Sequence, residues 1–331
     1  MLPNKICQLK GVDQDGPNVV ILGGTHGDEL TGIELVKQML AVFGLSQDPS
    51  GVHEAPLIYG NLFMGFGNPA AIDLNARGAS ENRDLNRSFS SLDIGRKVRP
   101  DDPVDVIRAR ELVPLFERTD YLFDIHATSN DSYPFVCFGE YDARFQSILD
   151  LIPVERVITD PLLIYTKDQG LPELGTTDYY VNRFGGSEWS KRRFGKKQGL
   201  GICYETGQQE DVRRVPLAMF VVIRLMRHVG SIKEKMEQNL YNRLEIERIE
   251  RQAKQRIYAI THRVDARSSD FKYAEGMKDG WLAVGKGCLV GEYGDGERVY
   301  TPASGSIVFQ RKEGKIDQGR CMFCIVQEIA L

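Results

Sequence analysis

The chain has 331 residues, with 42 Lys or Arg against 46 Asp or Glu, which gives a formal net charge of −4. A chain of this length can bury a substantial core and predicts a large domain joined to a smaller one. The charge gives no overall positive field that would attract nucleic acid or an anionic membrane, so neither is expected as a partner.

Apolar and amphipathic segments alternate through the first two thirds of the chain. Short apolar runs predict buried strands at 19–24, 55–62, 121–127, 135–139 and 199–207. Helical spacing predicts helices at 31–44, 104–118, 143–152 and 215–230, the second of them interrupted or ended near Pro114. Strands that alternate with helices predict an α/β sheet with helices on both faces.

The composition changes after the last of these helices. Residues 232–256 are dense in charges of both signs and predict an exposed connecting helix. Glycines and turn residues then separate short strand candidates between 281 and 310, a pattern typical of a small all-β module. We therefore expect an α/β domain at 1–235, a charged helical connector at 236–256 and a small all-β domain at 257–331. The segment 183–199 reads as a basic, glycine-bearing loop.

The amino terminus and the cysteines favour a cytoplasmic protein. MLPNKICQLKGVDQDG has no basic segment followed by a long apolar stretch, which argues against a signal peptide. The longest apolar runs are far too short to span a membrane. The six cysteines are scattered and mostly lie in strand-like contexts, as reduced core thiols do. A zinc role for Cys321 and Cys324 is not favoured, because no second pair lies at zinc-finger spacing.

The stretch GGTHGDELTG places a histidine and a carboxylate three residues apart, where a predicted strand meets a predicted helix. A hydrolytic zinc site needs three protein ligands and one open position, and imidazole and carboxylate are suitable donors. His26 and Glu29 can supply two ligands, and glycines permit the tight backbone path between them. The best third candidate is His126, at the end of the strand 121–127, because ligands usually bind at the carboxyl ends of such strands. The remaining histidines are poorer candidates: His53, His228 and His262.

Two further segments carry polar groups suited to hydrolysis. Glu205 ends another predicted strand and can act as the base for a hydrolytic water. The segment 67–89 is polar, irregular and rich in arginine, and its guanidinium groups offer paired donors to a carboxylate. Asn86 beside Arg87 can add an amide donor, although a solvated loop is the plainer interpretation of such a pair.

Four segments, GGTHGDE, NARGASENRDLNRSF, LFDIHA and CYETG, occur in this order within about residues 19–207. Together they resemble the succinylglutamate desuccinylase/aspartoacylase family, a branch of the zinc carboxypeptidase superfamily. The resemblance implies a mixed central sheet and a smaller carboxy-terminal β domain. It also implies one Zn²⁺ per chain, held by His26, Glu29 and His126.

The resemblance implies roles for the other polar residues as well. Glu205 corresponds to the general base, and Arg77 to the arginine that polarises the scissile carbonyl, with Arg83 as the weaker competitor. Asn86 and Arg87 correspond to the pair that holds the substrate carboxylate. Asp84 resembles the carboxylate that orients a zinc-bound histidine.

The implied reaction is hydrolysis of an amide in an N-acyl amino acid or a related small anionic substrate. Two other functions stay open: a zinc carboxypeptidase that acts on peptides or cell-wall fragments, and a binding protein for a small anion. Nickel, cobalt and manganese stay open as alternatives to zinc. A serine hydrolase is less favoured because no GxSxG elbow is present. The chain departs from the family pattern after Arg77, where Gly78 replaces an aromatic residue and the loop to Asn86 is longer. A homo-oligomer is compatible with the sequence.

Overall fold

The structure of the protein is a computed structural model. It describes residues 2–81, 83–165, 173–248 and 254–330. The strands, β1 to β15 in chain order, are Ile6–Lys10, Asp13–Gly23, Val52–Glu54, Tyr59–Phe66, Tyr121–Thr128, Phe135–Phe138, Arg156–Thr159, Leu200–Gln208, Arg256–Asp265, Lys272–Tyr273, Leu282–Val284, Leu289–Glu292, Arg298–Tyr300, Gly305–Val308 and Cys321–Ile329. The helices, α1 to α9, are Leu30–Val42, Pro69–Asp73, Ser91–Ile94, Val104–Phe116, Gln146–Leu149, Thr177–Phe184, Glu188–Phe194, Val215–His228 and Glu234–Arg243. Short 3-10 turns lie at Leu85–Arg87, Ala143–Phe145 and Val212–Arg214.

Twelve strands form one mixed sheet in the order β11-β14-β15-β9-β7-β6-β8-β5-β2-β4-β1-β3. In its middle, β4, β2, β5 and β8 run parallel to one another. β1 and β6 pair with β4 and β8 in the antiparallel sense. The carboxyl ends of the central strands therefore meet at one edge, where ligands usually bind in an open α/β sheet.

Alternate residues of the central strands enter two separate cores, because successive side chains of a strand point to opposite faces. In β2, Val19 and Ile21 pack in a core that also contains side chains of α1 and α8. Val20 and Leu22 pack in a second core with side chains of α4. Helices thus cover both faces of the sheet, and the predicted fold class is confirmed: α/β with a mixed sheet, plus an all-β region at the carboxy-terminal end.

Some predicted boundaries are wrong. The strand expected at 55–62 begins only at Tyr59 and runs on to Phe66, because Pro56 lies in a turn and the following apolar run stays buried. The helix expected at 104–118 ends at Phe116, close to Pro114 as predicted. The helix expected at 143–152 is a 3-10 turn followed by the four-residue α5. β1, β3 and β7 were not expected, since each is short and partly polar.

The carboxy-terminal strands continue the large sheet. β9 lies parallel to β7 and antiparallel to β15, so it joins the two halves of the chain. β10, β12 and β13 form a separate three-stranded sheet. Within the predicted connector, α9 occupies the first part and residues 249–253 lie outside the described residues. The predicted domain limits stay a prediction.

The basic segment 183–199 is more regular than predicted. It contains the end of α6 and all of α7, whose first turn is capped by the Ser187 side chain, which accepts a hydrogen bond from the Trp189 N–H at 3.1 Å. Among the helices in the described ranges, none has the length and apolar character that crossing a membrane requires.

Candidate metal centre and its pocket

The turn between β2 and α1 holds His26 and Glu29 at the edge of the sheet. β2 ends at Gly23, and this turn packs so closely that a Cβ atom at Gly23 would lie 2.0 Å from the Gly32 carbonyl oxygen. At Gly27, a Cβ atom would lie 2.0 Å from the Ala71 backbone. Any larger residue would push the turn away from its neighbours, so these glycines fix where the two polar side chains point.

His26, Glu29 and His126 come together at this edge, and all three are buried. His126 lies near the carboxyl end of β5, the neighbour of β2 in the sheet. The two Nδ1 atoms lie 3.2 Å apart, and the Glu29 carboxylate lies 2.6 Å from His26 Nδ1 and 2.9 Å from His126 Nδ1. The structure therefore brings together the three residues that the sequence predicts as metal ligands.

This donor set fits a zinc ion. Zinc bonds of about 2.0–2.1 Å to nitrogen and oxygen would place neighbouring ligand atoms about 3.3 Å apart in a tetrahedron. The separation of the two Nδ1 atoms is close to that value, and the distances to Glu29 are those of hydrogen bonds. Two neutral imidazoles and one carboxylate are the ligands found in many catalytic zinc sites, which keep a fourth position open.

A carboxylate lies beside the outer nitrogen of each histidine. Asp84 Oδ1 faces His26 Nε2 at 3.6 Å, and neither buried atom has a hydrogen-bond partner among the described residues. Asp124 Oδ2 lies 3.0 Å from His126 Nε2, which is an ion-pair distance. Such carboxylates favour a proton on Nε2 and leave the Nδ1 lone pair for a metal. The structure thus brings Asp84 beside His26.

The buried carboxylates around the two imidazole rings favour a positive charge between the rings. Burial would raise the pKa of Glu29, but the two histidines hold this pKa below its ordinary value. Burial would lower the pKa of His126, but Asp124 and Glu29 raise it well above the ordinary value. A metal cation bound between the rings would interact favourably with the negative charge of Glu29 and would displace protons from the atoms that bind it.

A second group of potential ligands shares His126 with the first: Asp124, His126 and Cys203. Here the Cys203 thiol donates a hydrogen bond to Asp178 at 3.4 Å. A hydrogen bond with Cys137 and burial raise the pKa of Cys203 well above its ordinary value. Because the thiolate is the metal-binding form, this second group is a poor metal site.

Glu205 faces the same centre from β8. It is paired in register with His126 on the adjacent β5. Its Oε2 atom is buried and has no hydrogen-bond partner among the described residues. Burial, and then the negative charge of Glu29, raise the pKa of Glu205 to about 7. A carboxylate with a pKa near neutrality and an unused oxygen is suited to take up and return a proton.

Arg77 lies against the candidate metal centre, and Arg83 does not. Arg77 Nε donates to Asp84 Oδ2 at 3.0 Å, and its Nη1 lies 3.4 Å from His26 Nδ1. Arg83 instead lies 3.4 Å from Asp93. Of the two arginines considered from the sequence, the structure thus brings Arg77 to the three predicted ligands.

Asn86 and Arg87 lie in a buried 3-10 turn that borders the same pocket. The Asn86 carbonyl oxygen accepts a hydrogen bond from the Thr177 N–H at 2.9 Å. The Arg87 guanidinium stacks over the Tyr165 ring, 4.5 Å from its centroid. Both side chains are held in place, which favours binding of a carboxylate by their remaining donors.

The pocket beside Glu205 combines these polar groups with apolar walls. The apolar lining includes Phe138, Ile158, Leu174, Ile260 and Phe309. The carboxy-terminal half of the chain contributes Ile260 and the run from Phe309 to Arg311. A second, polar hollow adjoins the pocket and shares Arg77, Ser129 and Arg311 with it.

Sequence reasoning missed several residues of this site. Asp124 had a usable signal, since it precedes His126 by two residues in a strand and so points to the same face. Thr177, Tyr165 and Arg311 had none, because each reaches the site from a segment whose path depends on tertiary packing.

Comparisons with known proteins identify the family and the fold. Residues 15–215 match the family model described as succinylglutamate desuccinylase/aspartoacylase catalytic domain. An N-acyl-aromatic-L-amino acid amidohydrolase (carboxylate-forming) of Rattus norvegicus is 34% identical over 130 residues, which are 38% of this chain and 37% of that protein. The aspartoacylase of Rattus norvegicus is 33% identical over 119 residues, 34% of this chain and 35% of that protein. These matches thus span little more than a third of each relative's length.

Solved structures share the fold over almost the whole chain. A succinylglutamate desuccinylase/aspartoacylase from Rhodobacter sphaeroides has a TM-score of 0.63 at 18% identity, covering 98% of this chain and 88% of that one. Murine aminoacylase 3 has a TM-score of 0.61 at 21% identity, covering 96% of each chain.

Proposed function

Because the chain belongs to the succinylglutamate desuccinylase/aspartoacylase family, we propose that it is a zinc-dependent amidohydrolase that cleaves the amide bond of an N-acyl amino acid. The observation that carries the proposal is the meeting of His26, Glu29 and His126 within hydrogen-bond distance, directly beside Glu205. Burying several charged groups together costs free energy of folding. Such a cluster is therefore more typical of a catalytic site than of a stabilising core.

Individual residues of the chain have separate roles in the proposed reaction. When bound, zinc would act as a Lewis acid on the scissile carbonyl and lower the pKa of a water molecule. Glu205 would accept a proton from the attacking water and return it to the leaving nitrogen. Arg77 would donate to the oxygen on which negative charge develops.

Asn86 and Arg87 would hold the carboxylate of the amino acid. Replacing Arg87 by methionine removes a charge-assisted contact while keeping much of the side-chain volume, so we expect KM to rise about 10- to 100-fold with a smaller change in kcat. Steady-state kinetics on an N-acyl amino acid measure this change. The same substrate as its carboxamide should respond little to the substitution.

Arg192→Met is a matched control for that experiment, since Arg192 is exposed on α7 and its contact with Asp15 at 3.0 Å is far from the pocket. It should leave KM unchanged. An equal rise in KM for the free acid and for the carboxamide would show that Arg87 does not recognise the carboxylate.

The pH dependence of kcat/KM should report the ionisation of Glu205. The base must be deprotonated to act, so kcat/KM falls as the pH drops through the pKa of Glu205. That pKa is raised to about 7 in the protein alone, and a bound cation would lower it toward the ordinary value of about 4.3. We therefore expect an acidic limb between these values, and a limb that persists unchanged in Glu205→Gln would contradict the assignment.

A second candidate function is a zinc carboxypeptidase that acts on peptides or cell-wall fragments. The polar hollow that adjoins the pocket at Arg77 favours it, because the two together give room for a longer substrate. The deacylase is preferred because the proteins that match in sequence are described as amidohydrolases and aspartoacylases.

The decisive experiment combines metal analysis with a substrate screen. Purified protein should contain about one zinc ion per chain, and acetyl, formyl and succinyl derivatives of several amino acids should be tested beside dipeptides. Cleavage of an N-acyl amino acid without cleavage of dipeptides would support the deacylase. The reverse result would favour the carboxypeptidase, and absence of both metal and activity would favour a binding protein.

A further inference from the structure

Thr177 is the first residue of α6 and is completely buried. Its two polar groups donate to two different parts of the site. The backbone N–H donates to Asn86 Oδ1 at 2.9 Å, and the hydroxyl donates to Asp124 Oδ2 at 2.6 Å. One residue thus contacts the side chain proposed to bind the substrate carboxylate and the carboxylate beside a proposed metal ligand.

The contact with Asp124 bears on His126. Asp124 is also fully buried, and its Oδ1 accepts the Thr25 hydroxyl at 2.8 Å. Two hydroxyl donors therefore fix the orientation of the carboxylate, which leaves Oδ2 at 3.0 Å from His126 Nε2. A carboxylate held at Nε2 favours the tautomer that carries its proton there and offers Nδ1, which faces Glu29, to a metal.

The contact with Asn86 decides which end of the amide faces the substrate. A side-chain amide has one acceptor end and one donor end. Because the Thr177 N–H occupies the oxygen, the NH₂ group is left for the pocket that Asn86 borders. With the opposite orientation, the amide oxygen would face the substrate carboxylate and repel it.

We propose that Thr177 is a positioning residue that fixes both the tautomer of His126 and the amide orientation of Asn86. The inference rests on the proposed function, because it concerns zinc affinity and carboxylate recognition. It assigns the two effects to different atoms of one residue, the hydroxyl to the metal centre and the backbone N–H to the substrate. The two effects are therefore separable by substitution.

Thr177→Val removes the hydroxyl and keeps the N–H. We expect its zinc affinity, measured by competition with a chromophoric chelator, to fall about 10- to 100-fold, as for other partners of metal-bound histidines. KM measured at saturating zinc should stay within about twofold of wild type. Thr177→Ser restores the hydroxyl and should restore most of the zinc affinity.

Thr177→Pro removes both donors. Proline suits the first position of a helix, and the preceding Thr176 already has the extended backbone that proline requires, with φ −92° and ψ 156°. We expect this variant to show the same loss of zinc affinity together with a rise in KM of about 3- to 10-fold, which is the loss of about one hydrogen bond.

Thr119→Val is the matched control. Thr119 is equally buried, and its hydroxyl donates to the Leu115 carbonyl at 2.8 Å, away from the site. This control should keep both zinc affinity and KM, and thermal unfolding of every variant reports any general loss of stability. An effect of Thr119→Val equal to that of Thr177→Val would reduce the role of Thr177 to packing.

The outcomes separate this inference from the proposed function. Wild-type protein that binds no zinc and cleaves no N-acyl amino acid would overturn both. Wild-type protein that does both, with a Thr177→Val variant of unchanged zinc affinity, would overturn the role at His126 alone. Equal KM values for the Val and Pro variants would overturn the role at Asn86.

Discussion

Replacing Glu205 by glutamine should lower the turnover of an N-acyl amino acid by about 10²- to 10⁴-fold, the usual contribution of a general acid–base group. Glutamine keeps the shape of the side chain but cannot take up a proton. Zinc content should stay at the wild-type level, since Glu205 is not one of the three proposed ligands. The measurements are kcat with saturating substrate and metal analysis of the same preparation.

Glu210→Gln is the control for this substitution. Glu210 follows β8 a few residues later and forms an exposed ion pair with Lys312 at 3.3 Å. It should keep full turnover. Turnover in Glu205→Gln close to wild type would show that another group moves the proton, and loss of zinc in that variant would mean that Glu205 holds the metal.

Replacing His126 by alanine should abolish detectable zinc binding. Zinc affinity should fall by more than about 100-fold, beyond the effect of partners that only orient a ligand, and hydrolysis should fall to background. His262→Ala is the matched control, because His262 is exposed on β9 and its Nδ1 lies 3.1 Å from the hydroxyl of its neighbour Thr261. The control should retain both zinc and activity.

His126 is buried among carboxylates, so its removal also takes one partner away from Asp124 and from Glu29. A chelator experiment on the wild-type protein avoids this effect. Activity should disappear as zinc is removed and return when zinc is added back, with unchanged circular dichroism. Full activity after complete removal of metal would reject the metal mechanism.

The sequence predicted the parts of the site that lie at strand ends. His26, His126 and Glu205 each follow a short apolar run, and parallel strands bring such ends to one edge of a sheet. The path of the chain between strands was harder to predict. β1 and β3 are short and partly polar, so periodicity alone did not reveal them.

The residues that shape the substrate side of the pocket were largely beyond sequence reasoning. Tyr165 packs under Arg87, and Phe309 and Arg311 arrive from a region more than a hundred residues away in the chain. Which side chain of an irregular segment enters a pocket depends on packing against other segments. Asp124 is the exception, since the two-residue period of β5 would have been enough to find it.

The pairing of β7 with β9 joins the carboxy-terminal stretch to the sheet, and that stretch contributes side chains to the pocket. The proposed reacting groups all lie within the matched stretch 15–215, while Ile260, Phe309 and Arg311 come from beyond it. For the proposed deacylase, we therefore expect mutations in the later stretch to change the preference among acyl amino acids more than they change the rate of bond cleavage. Exchanging that stretch between relatives would test this expectation, because the proposed reacting groups would stay the same.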